Sequence, residues 1–305
     1  MLNTLNNKKT LIAIVGPTAV GKTAMAIQLA QYFDTEIISA DSRQFYREMS
    51  IGTAKPTKSE LSLAPHHFID SHSIEEDYSA GDFERDALEK IKTLFQTKEI
   101  MIMVGGSGLF VRAVCEGLDN LPKALPKTRE QLNQRFENEG IIPLQEYLKT
   151  VDPVYYKQVD SSNVQRVIRA LEVFETTGLP FSSFLQNTKA NRSFDIISIG
   201  LNMDREALYN RINLRVDMML KEGLLEEVKS LLKYKNKPAL MTVGYSELFD
   251  FLDGYISWED AVAKIKQNSR RYAKRQLTWF KKGGDTQWFD PKDQLGIIDY
   301  IQSQV

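Results

Sequence analysis

A chain of 305 residues, 42% hydrophobic and 26% charged, has enough apolar material for one large core or two smaller ones and falls among soluble globular proteins. Its formal net charge of -1 excludes wholesale attraction to polyanions, although a balanced total can hide a basic face. Cys115 is the only cysteine, which excludes an internal disulfide and a cysteine-rich zinc site, and the polar start with only "LIAIV" after it suits neither a signal peptide nor a membrane span; a cytoplasmic protein is expected.

"TLIAIVG" is a short apolar, partly β-branched run ending in glycine, and "KTAMAIQLAQYF" after it repeats apolar residues at helical spacing. The loop between this strand and helix is Gly16-x-x-x-x-Gly21-Lys22-Thr23. Its glycines let backbone amides approach phosphate oxygens, Lys22 adds a cation, and Thr23 offers a hydroxyl to Mg²⁺ at a helix N-terminus. Phosphate binding is expected; the spacing leaves the identity of the phosphate open.

"TEIISADS" at 35–42 and "EIMIMVGGSG" at 99–108 repeat the strand pattern, with "DFERDALEKIKTLF" a helix between them. Such alternation predicts a parallel sheet covered on both faces. Gly16, Asp41 and Gly105 would then stand at carboxyl ends of strands, where open α/β sheets hold ligands. A phosphoryl-transferring enzyme also carries an acid at the end of another strand to help hold magnesium. Here "IMIMV" runs into Gly105-Gly106-Ser107-Gly108, whose amides and Ser107 hydroxyl can line the pocket. The acid is Asp41, placed either to accept a proton beside the phosphate site or to cap the following turn. His66 and His67, with only His72 nearby, are too few for a metal site.

From about Leu118 prolines appear at 122 and 126, helical periodicity continues to about Gln186, and no strand pattern returns before "FDIISIGL" at 194–201. A mostly helical insertion over 119–195 is therefore expected, carried on an α/β core made of 1–118 and 196–305. After 203 the chain reads mainly as helices. "RINLRV" sets Arg211 and Arg215 four apart on one face, either gripping one anion or solvated. In the last long helix eight Lys or Arg residues and no acid lie between Lys264 and Lys282. Ile265, Tyr272, Ala273, Leu277 and Phe280 fall on one side, which leaves Lys266, Arg270, Arg271, Lys274 and Arg275 as a basic stripe suited to a polyanion. With Arg166 and Arg169 of the insertion, a charged cleft between two lobes is expected.

The set "GPTAVGKT", "SADSRQFYREMSIGTAKP", "HHFID", "YSAGDF", "VGGSGLF", "QRVIRALEV", "GLP", "VGY" and "RYAKRQLTWF", in this order, resembles the tRNA dimethylallyltransferases (tRNA isopentenyltransferases) of bacterial type, over about residues 11 to 280. The resemblance implies an α/β fold, a P-loop NTPase-like parallel sheet flanked by helices, with a helical insertion that grips the tRNA anticodon stem-loop. It implies a monomer, with no membrane contact, that transfers a dimethylallyl group from dimethylallyl diphosphate to N6 of adenosine 37 and releases diphosphate. Gly16, Thr18, Ala19, Val20, Gly21, Lys22 and Thr23 would hold that diphosphate with Mg²⁺, Thr23 facing the metal. Asp41 would act as base, assisted by Thr18 and Arg215. Implied tRNA contacts are Asp41, Ser42, Arg43, Gln44, Ser107, Arg129, Gln165, Arg166, Val167, Ile168 and Arg169, with Lys274 and Arg275 of the basic helix.

The chain departs from the family pattern at Ser107, Phe110 and Val20, where threonine, tyrosine and serine or threonine are common. Serine keeps the hydroxyl at 107, whereas Phe110 removes a phenol. Two other readings share the phosphate loop: a small-molecule kinase, and a non-catalytic RNA-binding module. The insertion, the basic helix and the missing acid after "IMIMV" favour the transferase over the first; Asp41 and the paired arginines favour an enzyme over the second.

Overall fold

Every residue of β1 (Thr10–Val15) is buried, as a central parallel strand requires when both its faces are covered. Its side chains alternate between two apolar clusters, Ile12 and Ile14 in one, Leu11, Ala13 and Val15 in the other. The computed structural model describes residues 9–123, 125–186 and 188–305; the polar start at 1–8, with Ala124 and Asn187, lies outside the described residues. From β1 the chain continues through α1 (Lys22–Tyr32), β2 (Ile37–Ser39), α2 (Lys58–Leu63), β3 (His66–His67), α3 (Ala80–Leu94), β4 (Ile100–Val104) and α4 (Gly108–Glu116). Four helices follow, α5 (Pro126–Glu139), α6 (Ile142–Val151), α7 (Pro153–Tyr156) and α8 (Val164–Thr177). The remainder forms β5 (Asp195–Leu201), α9 (Arg205–Lys221), α10 (Leu224–Ser230), α11 (Tyr245–Leu252), α12 (Trp258–Lys282), β6 (Thr286–Phe289) and α13 (Gln294–Gln304).

The strands pair in the order β3-β2-β4-β1-β5-β6, all parallel. The four patterned runs of the sequence are the four inner strands. The edge strands β3 and β6 were not expected; two and four residues are too few to show a period. On one face Met25 and Leu29 of α1, Leu208 and Ile212 of α9, and Ile297 and Ile301 of α13 pack against Ile12, Ile102 and Ile199. On the other, Phe83, Ala87 and Ile91 of α3 and Val111 and Val114 of α4 cover Leu11, Ile38 and Met101. A third cluster joins Phe45 and Met49, beyond β2, to Val216, Leu224, Val228, Tyr245, Leu248 and Ile265. Among the described residues no helix is long and apolar enough to cross a membrane.

Two compact units divide the chain: Met1–Glu116 with Asn191–Val305, and Gly117–Ala190. The second has its own core, in which Leu144, Leu148, Ile168 and Leu171 are fully buried. Residues 191–195, drawn with the insertion by sequence, belong to the sheet-bearing unit. Asp195 pairs with Thr10 in the β1–β5 register, and the Arg192 guanidinium donates to the carbonyls of Ala113 and Val114 and pairs with Glu84 at 2.7 Å.

β2 and β4 end side by side, with Ala40 N donating to Val104 O at 2.7 Å. A Cβ on Gly105 would stand 2.3 Å from Ala40 O, a backbone atom that cannot yield. Gly105→Ala should therefore cost about 2 kcal/mol by overpacking, read as a lower urea midpoint with an unchanged m-value; an unaltered midpoint would mean that the two strand ends part freely.

Candidate active site

The loop from Gly16 to Lys22 is built on backbone that side chains resist: Gly16, Ala19 and Gly21 have φ of 144°, 63° and 112°. A Cβ on Gly16 would lie 2.5 Å from Leu201 O. The turn delivers the chain into α1 with Gly21 at its N-cap, no side-chain cap and no acid in the first turn. By contrast, α2 and α3 close their N-termini with capping boxes on Thr57 and Ser79. The first amides of α1 thus have no side chain competing for them, the condition in which a helix N-terminus takes an anion. Val20 is fully buried in the core, so only its backbone can serve a ligand.

Gln276 of α12, overlooked in the sequence, holds this loop. Its buried side chain accepts from Thr18 N at 2.8 Å and donates to Gly106 O at 2.9 Å, tying the loops after β1 and β4 to one helix. The signal was present: Gln276 is the polar residue on a helix face otherwise set by Ile265, Ala273 and Phe280.

Lys22 donates to Pro17 O at 2.7 Å, and its ammonium is enclosed although the residue keeps some exposure. Burial, and then the nearby Arg215, lower its pKa to about 7 against a weaker opposing pull from Asp41. Burial also lowers the Arg215 pKa, with Asp41 again opposing. Arg215 Nη2 donates to Ala54 O at 3.4 Å. Tyr272 is pushed up to about 12 by burial, then by the Asp41 charge, while its hydrogen bond with Ser107 works the other way. Asp41 is thus the shared neighbour of Lys22, Arg215 and Tyr272. Its Oδ1 accepts from Arg43 N at 2.9 Å, so the turn-capping expectation holds for one oxygen, and Asp41 also faces the cavities.

Two cavities meet here. One, of about 250 Å³, is lined by Thr18, Asp41, Arg43 and Tyr272 and by the aliphatic Ile212, Val216, Leu224 and Ile265. The second, of about 810 Å³, is lined by Thr23, Gly105 and Gly106 and by several charged side chains, Lys22, Lys55, Glu60 and Arg211 among them. Thr18, Asp41 and Arg215 line both.

Ser42 and Ser107 are brought together beside them: Ser42 N and the Ser107 hydroxyl are 2.9 Å apart, and Ser107 donates to the Ser42 hydroxyl at 3.0 Å. Arg43 lines the apolar cavity with a buried Nε that has no partner among the described residues. The Gln44 amide is committed to the carbonyls of Thr53 and Ala54. In the helical unit Gln165 and Arg166 are exposed, whereas the side chains of Val167 and Ile168 are fully buried in that unit's core, which leaves only their backbone for any contact of the expected segment. Arg129 and Arg169 both turn to the buried Glu172, at 3.1 and 3.4 Å, and Arg129 also donates to Gln165. Along α12 the basic stripe is narrower than expected. Lys266 pairs with Asp217 at 2.6 Å and Arg270 donates to Asn213, both on α9, so Arg271, Lys274 and Arg275 remain exposed.

A family model described as IPP transferase matches residues 44–283. A tRNA dimethylallyltransferase of Christiangramia forsetii is 53% identical over 296 residues, 97% of this chain and 98% of that one. The chain belongs to the IPP transferase family. A solved tRNA isopentenylpyrophosphate transferase of Bacillus halodurans is 39% identical with a TM-score of 0.72, covering 97% of this chain and 96% of that one. A eukaryotic dimethylallyltransferase acting on tRNA is 28% identical with a TM-score of 0.78, covering 93% and 74%.

In this IPP transferase family member the enclosure of Lys22 has a measurable sign. The native state releases the proton at about 7 and the unfolded chain near 10.5. Between these values the unfolded state binds more protons, so Lys22 makes stability rise with pH across that window. Lys22→Met should remove the rise and be the more stable form at pH 7, with the difference gone by about pH 10.5, while the Lys22 Nζ titrates near 7 by ¹⁵N NMR. Equal slopes for the two proteins would place the ammonium in water.

Proposed function

We propose that this chain transfers a dimethylallyl group from dimethylallyl diphosphate to N6 of adenosine 37 of tRNA. The observation that carries the reading is that Thr18, Asp41 and Arg215 line both of two adjoining cavities beside the phosphate loop, one that includes Ile212, Val216, Leu224 and Ile265 and one that includes Lys22, Thr23 and Arg211. The hydrocarbon group lies against Ile212, Val216, Leu224 and Ile265, and the diphosphate lies against the loop, Lys22 and Arg215. The N6 lone pair forms the new bond to C1 of the allyl group. The C1–O bond breaks, its electron pair leaves with diphosphate, and the N6 proton passes to Asp41. An exocyclic amine is a weak nucleophile, so orientation of the amine and stabilisation of charge on the leaving group supply the acceleration.

Magnesium suits this donor set. It binds through few protein oxygens, substrate phosphates and water, and the Thr23 hydroxyl lines the polar cavity. When bound it neutralises charge on the departing diphosphate. The adenine leaves its stack to reach Asp41, which an anticodon loop permits more cheaply than a duplex. Arg271, Lys274 and Arg275 offer phosphate contacts from α12, and Gln165 and Arg166 present a second polar surface on the helical unit. The protein acts as a monomer on this reading.

Incubation with unmodified tRNA carrying A36-A37, dimethylallyl diphosphate and Mg²⁺ should add one C₅H₈ mass to adenosine by nucleoside mass spectrometry. ATP-dependent phosphorylation of a metabolite, with no gain on adenosine, would transfer the protein to the kinases. Asp41→Ala should lower turnover roughly 10²–10⁴-fold and leave tRNA affinity nearly intact; equal losses would make Asp41 a binding residue.

For the double variant Lys274→Ala/Arg275→Ala, tRNA binding should weaken, and the slope of log K against log salt should flatten by about 1 to 2. An unchanged slope would return this end of α12 to a solvated face.

A further inference from the structure

Glu227, in α10, lines neither cavity, yet its carboxylate gathers four donors. Oε2 accepts from Ser50 N at 2.9 Å and Ile51 N at 2.7 Å; Oε1 accepts from Gly52 N at 3.0 Å and from the Tyr245 hydroxyl at 2.6 Å. Tyr245 is fully buried, and a Cβ on Gly52 would lie 2.5 Å from its ring, so the turn packs directly on the phenol end of Tyr245. Only a carboxylate has the lone pairs for this set; a glutamine has one acceptor oxygen and would point N–H at an amide. The turn continues into Thr53 and Ala54, whose carbonyls accept from Gln44, and Ala54 O also accepts from Arg215. Thr53 and Ala54 line both cavities.

We propose that Glu227 is a positioning residue for the diphosphate site: it fixes the turn at 50–54, and through the Ala54 carbonyl it fixes the Arg215 guanidinium. The inference rests on the reading above in which Arg215 grips the diphosphate. It differs from a packing role because its effect must pass through Arg215.

The test is calorimetric titration of inorganic pyrophosphate into the full chain and into Glu227→Gln, Arg215→Ala and the double variant, with thermal melting of each. Glu227→Gln should weaken binding about tenfold, a coupling of ~1.4 kcal/mol, and should add no further loss once Arg215 is alanine. Tyr245→Phe, which keeps the three amide bonds, should bind within about twofold of the parent. The proposal is overturned by full affinity in Glu227→Gln, by the same tenfold loss in the Arg215→Ala background, or by an equal loss in Tyr245→Phe, which would trace the effect to the hydroxyl contact in the core and not to the three turn amides. It is overturned too if the parent does not bind pyrophosphate. Because pyrophosphate binding needs neither tRNA nor an allylic donor, failure of the transfer assay is a separate result.

Discussion

Lys22 and Arg215 are two enclosed cations, and Asp41 is the carboxylate whose charge opposes the loss of a proton from either. With Lys22 protonated, two positive charges stand against one negative, partly withdrawn from water. This is unfavourable because desolvation of an imperfectly paired charge costs several kcal/mol, and the Lys22 ammonium is accordingly held weakly, its pKa lowered to about 7. The surrounding structure keeps them there. Lys22 is held by the Pro17 carbonyl, Arg215 by the Ala54 carbonyl, and the loop bearing Pro17 by Gln276. A ligand with several negative charges restores the balance. On the proposed reading these groups, positioned before the ligand arrives, would act on charge that grows during the reaction without reorganising.

The sheet explains why these groups meet. β1, β2 and β4 are parallel neighbours, so their carboxyl ends lie along one edge, and each is followed by a loop that reaches the cavities. Closure of that edge is not local. The hydrogen bond from Thr18 N to Gln276 spans 258 residues, and the same side chain reaches Gly106. The shape of the phosphate loop therefore depends on α12 having docked, although its sequence is read as a self-contained motif. α12 itself is fixed by Ala273 and Phe280, buried in the clusters on the two faces of the sheet.

What the sequence revealed divides along physical lines. The run from β1 into α1 was legible because strand pattern, glycine spacing and helical period agree, and α12 was legible as a long helix because 25 residues give a period many turns in which to show itself. The edge strands β3 and β6 were not, for pairing with a neighbour and not periodicity makes them strands. Among site residues, chemistry was visible and commitment was not. Arg270 and Lys266 read as ligand-facing until α9 supplies Asn213 and Asp217. The sequence did not show that Arg129 and Arg169 both pair with Glu172 while keeping part of their surface, or that the period of α8 turns the side chains of Val167 and Ile168 inward. Gln276 and Glu227 were missed because a single polar residue carries no spacing; what marks each is the set of backbone groups that folding brings to it.

The phosphate loop does not by itself imply transfer of phosphate, and the neighbouring groups argue for the alternative. At the end of β4, where a phosphoryl-transferring enzyme places a metal-holding acid, this chain has Gly105 and Gly106, with the Gln276 amide donating to Gly106 O and a Cβ on Gly106 only 2.4 Å from its Nε2. A neutral, hydrogen-bonded amide there fixes the loop and contributes no charge to a metal. The smaller cavity also carries four buried aliphatic side chains, Ile212, Val216, Leu224 and Ile265, which offer nothing to a triphosphate but accommodate a hydrocarbon. A cavity with an anion-holding end, an apolar wall and one carboxylate at the junction suits a bond that breaks between carbon and phosphate oxygen. On the proposed reading the loop would stabilise what departs, and Asp41 would take the proton of what arrives.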